Sequence, residues 1–191
     1  MEHEPSATIS LIQGRLVRLR AREPADSERA FAWINDREVA RFLILRYPQS
    51  LEEEQEWLRA TPRAGFHGVH LAIETLDGVH IGNIDLRNVQ PENRTAELGV
   101  MVGDKRYWSR GYGSDAVRTL TRFAFRMMNL QRIHLQTYEY NHRAQSAFKK
   151  AGFVEEGRLR RHLFVDGRYW DVIIMGCLRD EFEDGDAPDA G

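Results

Sequence analysis

Cysteine is almost absent from this sequence of 191 residues, which contains only Cys177. A disulfide within the chain is therefore excluded, and a zinc site built on cysteine ligands is excluded as well. Cys177 lies in the apolar stretch 172–178, where we interpret it as a small buried hydrophobic residue rather than a nucleophile.

Long hydrophobic runs and an excess of charge of one sign are also missing. No stretch approaches the ~20 apolar residues of a membrane-spanning helix, and the first residues lack the pattern of a signal peptide. The 27 Lys and Arg nearly balance the 29 Asp and Glu, which gives a net charge of −2. We therefore expect a cytoplasmic protein that binds neither nucleic acid nor a membrane.

Two common phosphate-binding patterns and a metal-binding pattern are absent too. The chain has no GxxxxGK[ST] loop, and the dinucleotide pattern GxGxxG fails at Asp115-Ala116. His67 and His70 are close in sequence, but no third ligand is suggested nearby, so we expect no metal site.

The hydrophobic periodicities predict one α/β domain over residues 14–182. The expected element order is βααβββαβαββ, a mixed sheet with helices on both faces. Ser50 and Glu53 form a capping-box pattern, and Asp77-Gly78 and Asp166-Gly167 are typical hairpin turns. Residues 1–13 are expected to be a flexible leader and residues 183–191 a disordered acidic tail.

The most informative segment is a glycine turn that opens a long helix. Gly111 and Gly113 let backbone N–H groups approach a phosphate, and the helix N-terminus adds partial positive charge. Arg110 contributes a cation, and Ser114 can cap the helix or donate its hydroxyl. The turn alone is equally consistent with a purely conformational role for the glycines.

Three segments together carry a family resemblance. They are the strand around residues 96–102, the turn at 107–116, and the stretch from Asn141 to Phe153. In element order and in these segments, residues 14–182 resemble the GNAT acetyltransferase superfamily. Within it, the chain is most similar to the branch of ribosomal-protein N-terminal acetyltransferases and diamine (spermidine-type) acetyltransferases.

The resemblance implies acetyl-CoA as the acetyl donor, without a metal. It implies that the backbone of Val100, Met101 and Val102 pairs with the pantetheine amides, and that one N–H stabilises the oxyanion. Asn141 is expected to bond the pantetheine arm, and Phe148 to contact the coenzyme. The pyrophosphate is expected to be wrapped by Trp108, Ser109, Arg110, Gly111, Tyr112, Gly113 and Ser114.

The acid and the base of the reaction are less clear from the sequence. The family often carries Ser or Tyr at the positions of Ala144 and Phe148, so the usual proton donor is missing here. Tyr138, Tyr140 or a water molecule could replace it. Glu97 is a candidate base, but it could equally be a strand-end carboxylate paired with Arg94 or Arg87, and Glu139 is a further candidate.

We therefore predict an N-acetyltransferase that transfers acetyl directly to a primary amine of a polyamine, an amino sugar or a protein N-terminus. The acidic run at 52–56 could attract a cationic acceptor. The alternative is a non-catalytic acyl-CoA-binding or sensing domain of the same fold, and a weaker one is a nucleotide-phosphate binder. The hairpin strand at 168–178 is a candidate homodimer interface.

Overall fold

The structure is a computed structural model that describes residues 12–43, 45–60, 65 and 68–183. Within these residues one sheet contains eight strands in the order β1-β2-β3-β4-β5-β6-β8-β7. The strands are β1 (Ile12–Gln13), β2 (Val17–Ala21), β3 (Val69–Thr75), β4 (His80–Gln90), β5 (Thr95–Val102), β6 (Arg132–Tyr138), β7 (Val154–Val165) and β8 (Arg168–Leu178). The helices are α1 (Asp26–Ile34), α2 (Arg37–Ala40), α3 (Leu51–Ala60), α4 (Tyr112–Met127) and α5 (His142–Lys150), with a 3-10 turn at Lys105–Tyr107.

The sheet is mixed, as predicted. Neighbouring strands are antiparallel except β5 and β6, which run parallel. Such a parallel pair needs a crossover, and α4 supplies it.

Two short elements, the strand β1 and the helix α2, extend the predicted order. β1 pairs with β2 through Ile12 opposite Leu19, so the sheet begins inside the segment predicted to be a leader. A two-residue strand shows no alternation that could reveal it in the sequence. Residues 1–11 of that predicted leader and residues 184–191 of the predicted tail lie outside the described residues.

The local signals in the sequence appear as predicted. The Ser50 N–H donates to the Glu53 carboxylate at 2.6 Å, and the Glu53 N–H donates to the Ser50 hydroxyl at 3.1 Å. This reciprocal pair is the predicted capping box at the start of α3. Gly78 and Gly167 adopt positive φ angles of 89° and 77° in the two predicted hairpin turns.

Helices cover both faces of the sheet. Val17 and Leu19 of β2 pack in the core with the buried face of α4, which includes Val117 and Leu120. Because side chains alternate along a strand, Arg20 points to the opposite face, where it bonds Asp26 of α1 at 2.8 Å.

A buried ionic network fixes α1 on its face of the sheet. Arg20 bridges Asp26 and Glu74, and Arg18 also bonds Glu74 at 2.5 Å. Burial raises the pKa of Asp26, but hydrogen bonds from Arg20 and from the Glu23 N–H outweigh burial and hold it below its usual range. The start of α1 is thus tied to β2 and β3.

Candidate active site

The central feature of the site is a gap between two strands. β5 and β6 pair only through residues 95–97 and 132–134, and beyond Glu97 the two strands separate. β5 continues to pair with β4 on its other side as far as Val102. The edge of β5 that faces the gap therefore has backbone N–H and C=O groups free of β6, and a ligand that contains amides can pair with such an edge.

A cavity of about 840 Å³ surrounds this gap. It brings together most of the residues predicted to bind the coenzyme. Those that line it are Val100, Met101, Val102, Trp108, Ser109, Gly111, Gly113, Ser114, Asn141 and Phe148.

The glycine turn forms the wall of the cavity at the N-terminus of α4. Gly111 is the N-cap residue with φ of 90°, a conformation that favours glycine, and Ser109 has φ of 59°. Gly113 follows in the first turn, and a Cβ there would lie 3.5 Å from Cγ2 of Val102. N–H groups in a first helical turn have no acceptor within the helix, so this end of α4 suits an anion.

Trp108 joins the turn to the end of β5. Its indole N–H donates to the carbonyl of Val102 at 2.6 Å, and the Arg143 guanidinium of α5 lies 3.6 Å from the ring centroid. The ring is therefore fixed between β5 and α5. Burial lowers the pKa of Arg143 from its ordinary value, although an arginine remains charged at neutral pH.

Asn141 and Phe148 form the opposite wall. Asn141 is the N-cap of α5, and its side-chain oxygen accepts a hydrogen bond from the Ala144 N–H at 3.2 Å. Phe148 is 5% exposed and packs near Phe153, with ring centroids 6.3 Å apart. Ala144 and Phe148 both line the cavity, so the wall is apolar at the two positions where the family often carries an acid.

Two residues of the predicted pyrophosphate loop lie away from the cavity, and Ser114 follows one of the two alternatives left open for it. Arg110 is exposed, and neither it nor Tyr112 lines the cavity. The Tyr112 ring instead packs edge-on against Tyr107, with centroids 5.0 Å apart. The Ser114 hydroxyl donates to the carbonyl of Gly111 at 2.9 Å and does not cap the helix.

Glu97 is held in an ion pair outside the lining of the cavity. Its carboxylate accepts from Arg87 at 2.7 Å and from the Asn88 amide at 2.9 Å, whereas Arg94 bonds Asn129 instead. Burial raises the pKa of Glu97, but the Arg87 contact outweighs burial and keeps it below its ordinary value. Glu139, the further candidate, accepts a hydrogen bond from the Asp171 N–H at 3.3 Å.

Tyr138 lies at the end of β6 and lines the cavity. Its ring stacks on Tyr140, with centroids 5.5 Å apart, and the Tyr140 hydroxyl donates to the carbonyl of Arg41 at 2.7 Å. Burial raises the pKa of the Tyr138 phenol, so it retains its proton at neutral pH. A protonated phenol is a suitable donor to a leaving thiolate.

Two carboxylates of the cavity wall were missed by the sequence analysis as individual residues. Asp85 of β4 lines the cavity, and burial raises its pKa to about 6 against the nearby charges of Arg87 and Arg22. Glu54 of α3 also lines it, and burial raises the pKa of Glu54 although the charge of Arg22 acts to lower it. The acidic run at 52–56 indicated the second residue, but nothing in the alternation of β4 singled out Asp85.

The charges along the cavity are divided between two ends. The helix α5 contributes the basic residues His142, Arg143 and Lys150. The opposite end, formed by α3 and β4, contributes the three carboxylates of Glu53, Glu54 and Asp85 against one cation, Arg87, and is therefore acidic on balance. Such a division suits an anionic ligand beside α5 and a cationic one beside α3.

The described ranges show neither a metal cluster nor a membrane helix. Among them no group of three or more His, Cys, Asp or Glu side chains could hold a metal ion, and His67 lies outside these ranges. No helix in the same ranges is long and apolar enough to cross a membrane.

The fold and the site together are those of an acyltransferase that binds a coenzyme in the gap of a mixed sheet. Residues 16–154 match the family model of the acetyltransferase (GNAT) domain. The chain therefore belongs to the GNAT acetyltransferase family, whose members use acetyl-CoA as the acetyl donor.

Individual relatives agree with this family. The "Putative ribosomal N-acetyltransferase YdaF" of Bacillus subtilis (strain 168) is 29% identical over 175 residues, which covers 87% of this chain and 93% of the relative. The spermidine N(1)-acetyltransferase of Vibrio cholerae is 28% identical over 102 residues, 53% of this chain and 58% of the relative. A crystal structure of spermidine N-acetyltransferase from Vibrio cholerae with CoA and spermine has the same fold, with a TM-score of 0.79 at 24% identity, covering 87% of this chain and 97% of that one.

Proposed function

We propose that this protein transfers the acetyl group of acetyl-CoA directly to a primary amine that enters the cavity from its acidic end. The observation that carries the proposal is the open edge of β5, which leads from the glycine turn into a cavity lined by carboxylates at the far side. A linear coenzyme fits this arrangement, with its pyrophosphate at the glycine turn, its amides along the open edge of β5 and its thioester toward the carboxylates.

We assign the coenzyme-binding roles as follows. The backbone of Val100, Met101 and Val102 pairs with the pantetheine arm, and one N–H of this strand polarises the thioester carbonyl. Asn141 bonds the arm from the other side of the gap, and Phe148 packs against it. The first-turn N–H groups of α4 bind the pyrophosphate, which lies against Trp108, Ser109, Gly111, Gly113 and Ser114, while Arg110 and Tyr112 belong to the same turn outside the lining of the cavity.

We assign the proton donor for the leaving thiolate to Tyr138. The supporting observations are its place at the end of β6, its position in the cavity wall and its raised pKa. The apolar pair Ala144 and Phe148 offers no donor of its own.

The acceptor that fits the acidic end is a cationic primary amine. Glu53, Glu54 and Asp85 line that end, and Trp57 adds an aromatic surface. A polyamine, an amino sugar and a protein N-terminus all present such an amine. The relatives named above for spermidine and for a ribosomal substrate support the first and the third of these classes.

Direct transfer in a ternary complex is favoured over an acetylated enzyme. The cysteine of the chain is fully buried, and burial raises the pKa of its thiol to about 11. Cys177 is therefore a poor nucleophile at neutral pH.

The second candidate function is acetyl-CoA sensing without chemistry, and the observation that favours it is the apolar surface at Ala144 and Phe148. Titration with acetyl-CoA combined with a CoA-release assay over a panel of polyamines, amino sugars and N-terminal peptides separates the two. We expect release with at least one cationic amine. Tight acetyl-CoA binding without release for any amine would establish the sensing function instead.

We also propose a cytoplasmic location, consistent with an unpaired and buried cysteine.

We further propose a homodimer formed through the edge of the sheet at β7 and its hairpin partner β8. The hairpin exposes Phe164 and Tyr169, which are 47% and 56% accessible. Sedimentation of the wild type and of a Phe164→Ser, Tyr169→Ser double variant tests the homodimer. We expect the wild type to be a dimer and the double variant a monomer. A wild-type monomer at micromolar concentration would refute the proposed dimer.

A further inference from the structure

The carboxylate of Asp85 occupies space that Gly99 leaves open. Asp85 on β4 is directly opposite Gly99 on β5 in the strand register. A Cβ on Gly99 would lie 2.9 Å from Oδ1 of Asp85, which is closer than Cβ contacts occur in real structures, and at the tight distances of 3.0 Å from Oδ2 of Asp85 and 3.2 Å from Nη1 of Arg87. Gly99 does not have a positive φ, so its backbone conformation does not require glycine. Glycine is needed here because any side chain would take the space of the Asp85 carboxylate.

The carboxylate of Asp85 therefore lies across β5, beside the residue that precedes Val100. This is the start of the strand edge that faces the gap, and the proposed function assigns the pantetheine arm and the thioester carbonyl to that edge. Asp85 lines the cavity, its side chain is 26% exposed, and its Oδ1 is buried without a hydrogen-bond partner. A buried carboxylate oxygen without a donor is costly, and such arrangements often mark functional sites.

The strand register also places Asp85 and Tyr138 on one face of the sheet. Directly opposed residues on neighbouring strands share a face of the sheet, so Asp85 and Gly99 lie on one face. Glu97 lies two residues before Gly99 on β5, and because side chains alternate along a strand it is on that face too. Glu97 is opposite His134 of β6, and Tyr138 lies four residues further along that strand. The two side chains thus approach the gap from the strands on either side of β5.

We propose that Asp85 is the general base that accepts a proton from the acceptor amine. This inference rests on the proposed function. The acceptor enters as an ammonium, which has no lone pair, so the Asp85 carboxylate first accepts a proton from it and passes that proton to solvent. The neutral amine nitrogen then forms the new C–N bond to the acetyl carbon, and the C–S bond breaks with its electron pair on sulfur. Tyr138 protonates the sulfur, the Asp85 carboxylate accepts the second proton that the nitrogen loses on becoming an amide, and solvent exchange returns both side chains to their starting states.

The other carboxylates near the gap are less suited to this role. Glu97 is ion-paired with Arg87, accepts a hydrogen bond from the Asn88 amide and does not line the cavity. Glu53 accepts hydrogen bonds from Ser50 at the start of α3. Asp85 instead faces Arg87 only at an ion-pair distance of 3.8 Å.

The charged and titratable groups around Asp85 come from several elements. Burial raises the pKa of Asp85 to about 6. The positive charges of Arg87 and Arg22 act to lower this pKa, and the negative charge of Glu97 acts to raise it. His70 of β3 is directly opposite Asp85, and burial and the two arginines lower its pKa. A base with a pKa near 6 is ionised at neutral pH and can be reprotonated during turnover.

The test compares the wild type with Asp85→Asn and Glu97→Gln. At saturating amine and acetyl-CoA we expect kcat of the wild type to rise with pH and to level above about pH 6, since Asp85 must be ionised. Asp85→Asn should lose kcat by ~10²–10⁴-fold together with this acid limb. Glu97→Gln should keep the limb, and the Kd of acetyl-CoA should be unchanged in Asp85→Asn.

A stability measurement separates a base from a structural ion pair. Asn has nearly the shape of Asp but no charge, so Asp85→Asn removes an unfavourably buried carboxylate and should raise the Tm while kcat falls. A lowered Tm with a proportional loss of kcat would assign Asp85 to structure. Gly99→Ala, which displaces the carboxylate without removing it, should reproduce the loss of kcat.

Other outcomes would overturn the assignment. Retention of kcat in Asp85→Asn, or an increase in KM for the amine with kcat unchanged, would make Asp85 an acceptor-binding residue or an irrelevant one. The wild-type arm distinguishes these from failure of the proposed function: if wild-type protein binds acetyl-CoA and releases no CoA with any amine, both the function and the base are wrong.

Discussion

Replacing Gly113 by Asp should weaken acetyl-CoA binding while leaving the fold intact. Gly113 lines the cavity in the first turn of α4 and does not have a positive φ. A Cβ at this residue meets Cγ2 of Val102 at 3.5 Å, an ordinary van der Waals distance. Gly111 would be a poorer choice, since its φ of 90° strains any other residue and would confound binding with folding.

Gly113→Asp should increase the stability of the fold slightly and decrease the affinity for acetyl-CoA. A carboxylate in the first turn interacts favourably with the helix dipole and stabilises the fold by ~0.3–1 kcal/mol. Removal of a glycine from the helix stabilises the fold by up to ~1 kcal/mol more. Toward a bound pyrophosphate, a like charge at about 4 Å costs ~1 kcal/mol in water and ~4 kcal/mol at an effective dielectric constant of 20. The Kd for acetyl-CoA should therefore rise by roughly 5-fold to 10³-fold, while the Tm rises by a few degrees at most.

Isothermal titration with acetyl-CoA and a thermal melt measure both effects on the same sample. Gly113→Asn is the matched control, because it adds the same volume without the charge and should raise Kd much less than Gly113→Asp. Equal Kd values for Gly113→Asp and the wild type, in a protein that melts normally, would refute phosphate binding at this turn.

Three further outcomes follow from other parts of the structure. Tyr138→Phe should lower kcat by ~10²-fold or more with the Kd of acetyl-CoA unchanged, and an unchanged kcat in steady-state assays would remove Tyr138 as the acid. Gly103→Ala should destabilise the fold by ~1–3 kcal/mol in urea unfolding, because its Cβ would overlap the Trp33 indole, whereas Gly157→Ala, with open space around it, should not. The depressed pKa of Asp26 contributes stability that is present above its unfolded pKa of ~3.9 and is lost as pH falls further. Asp26→Asn should flatten this acid dependence, and a variant with the wild-type acid slope would contradict it.

The coenzyme side of the site could be predicted because its signals are local. The glycine turn, the helix that follows it and the asparagine at the next helix start are each encoded in a few adjacent residues. The strand β6 is likewise readable from the sequence, since its side chains alternate regularly and Ile133, Leu135 and Thr137 are the buried ones. These elements needed no knowledge of distant partners.

The acid–base side could not be predicted in the same way, because it depends on strand register. The sequence left Glu97 with two equivalent partners, and only the pairing of β4 with β5 places it opposite Arg87 rather than beside Arg94. Asp85 gains its position from Gly99 across the same pair of strands. A shift of one residue would have sent either carboxylate to the other face.

The contact between Trp108 and Arg143 was missed for a related reason. The two residues belong to separate segments, the turn before α4 and the first turn of α5, and they meet only because both segments border the gap between β5 and β6. Sequence reasoning placed Trp108 in the pyrophosphate loop but could not identify its partner.

A single-turnover experiment with radiolabelled acetyl-CoA and a responsive cationic amine tests the central claim most directly. We predict that the label appears on the amine at the rate at which free CoA is released, and that denatured protein sampled with or without the amine carries no covalent label. Label retained on the protein, or CoA release that leaves the amine unlabelled, would contradict direct transfer to an amine in this site.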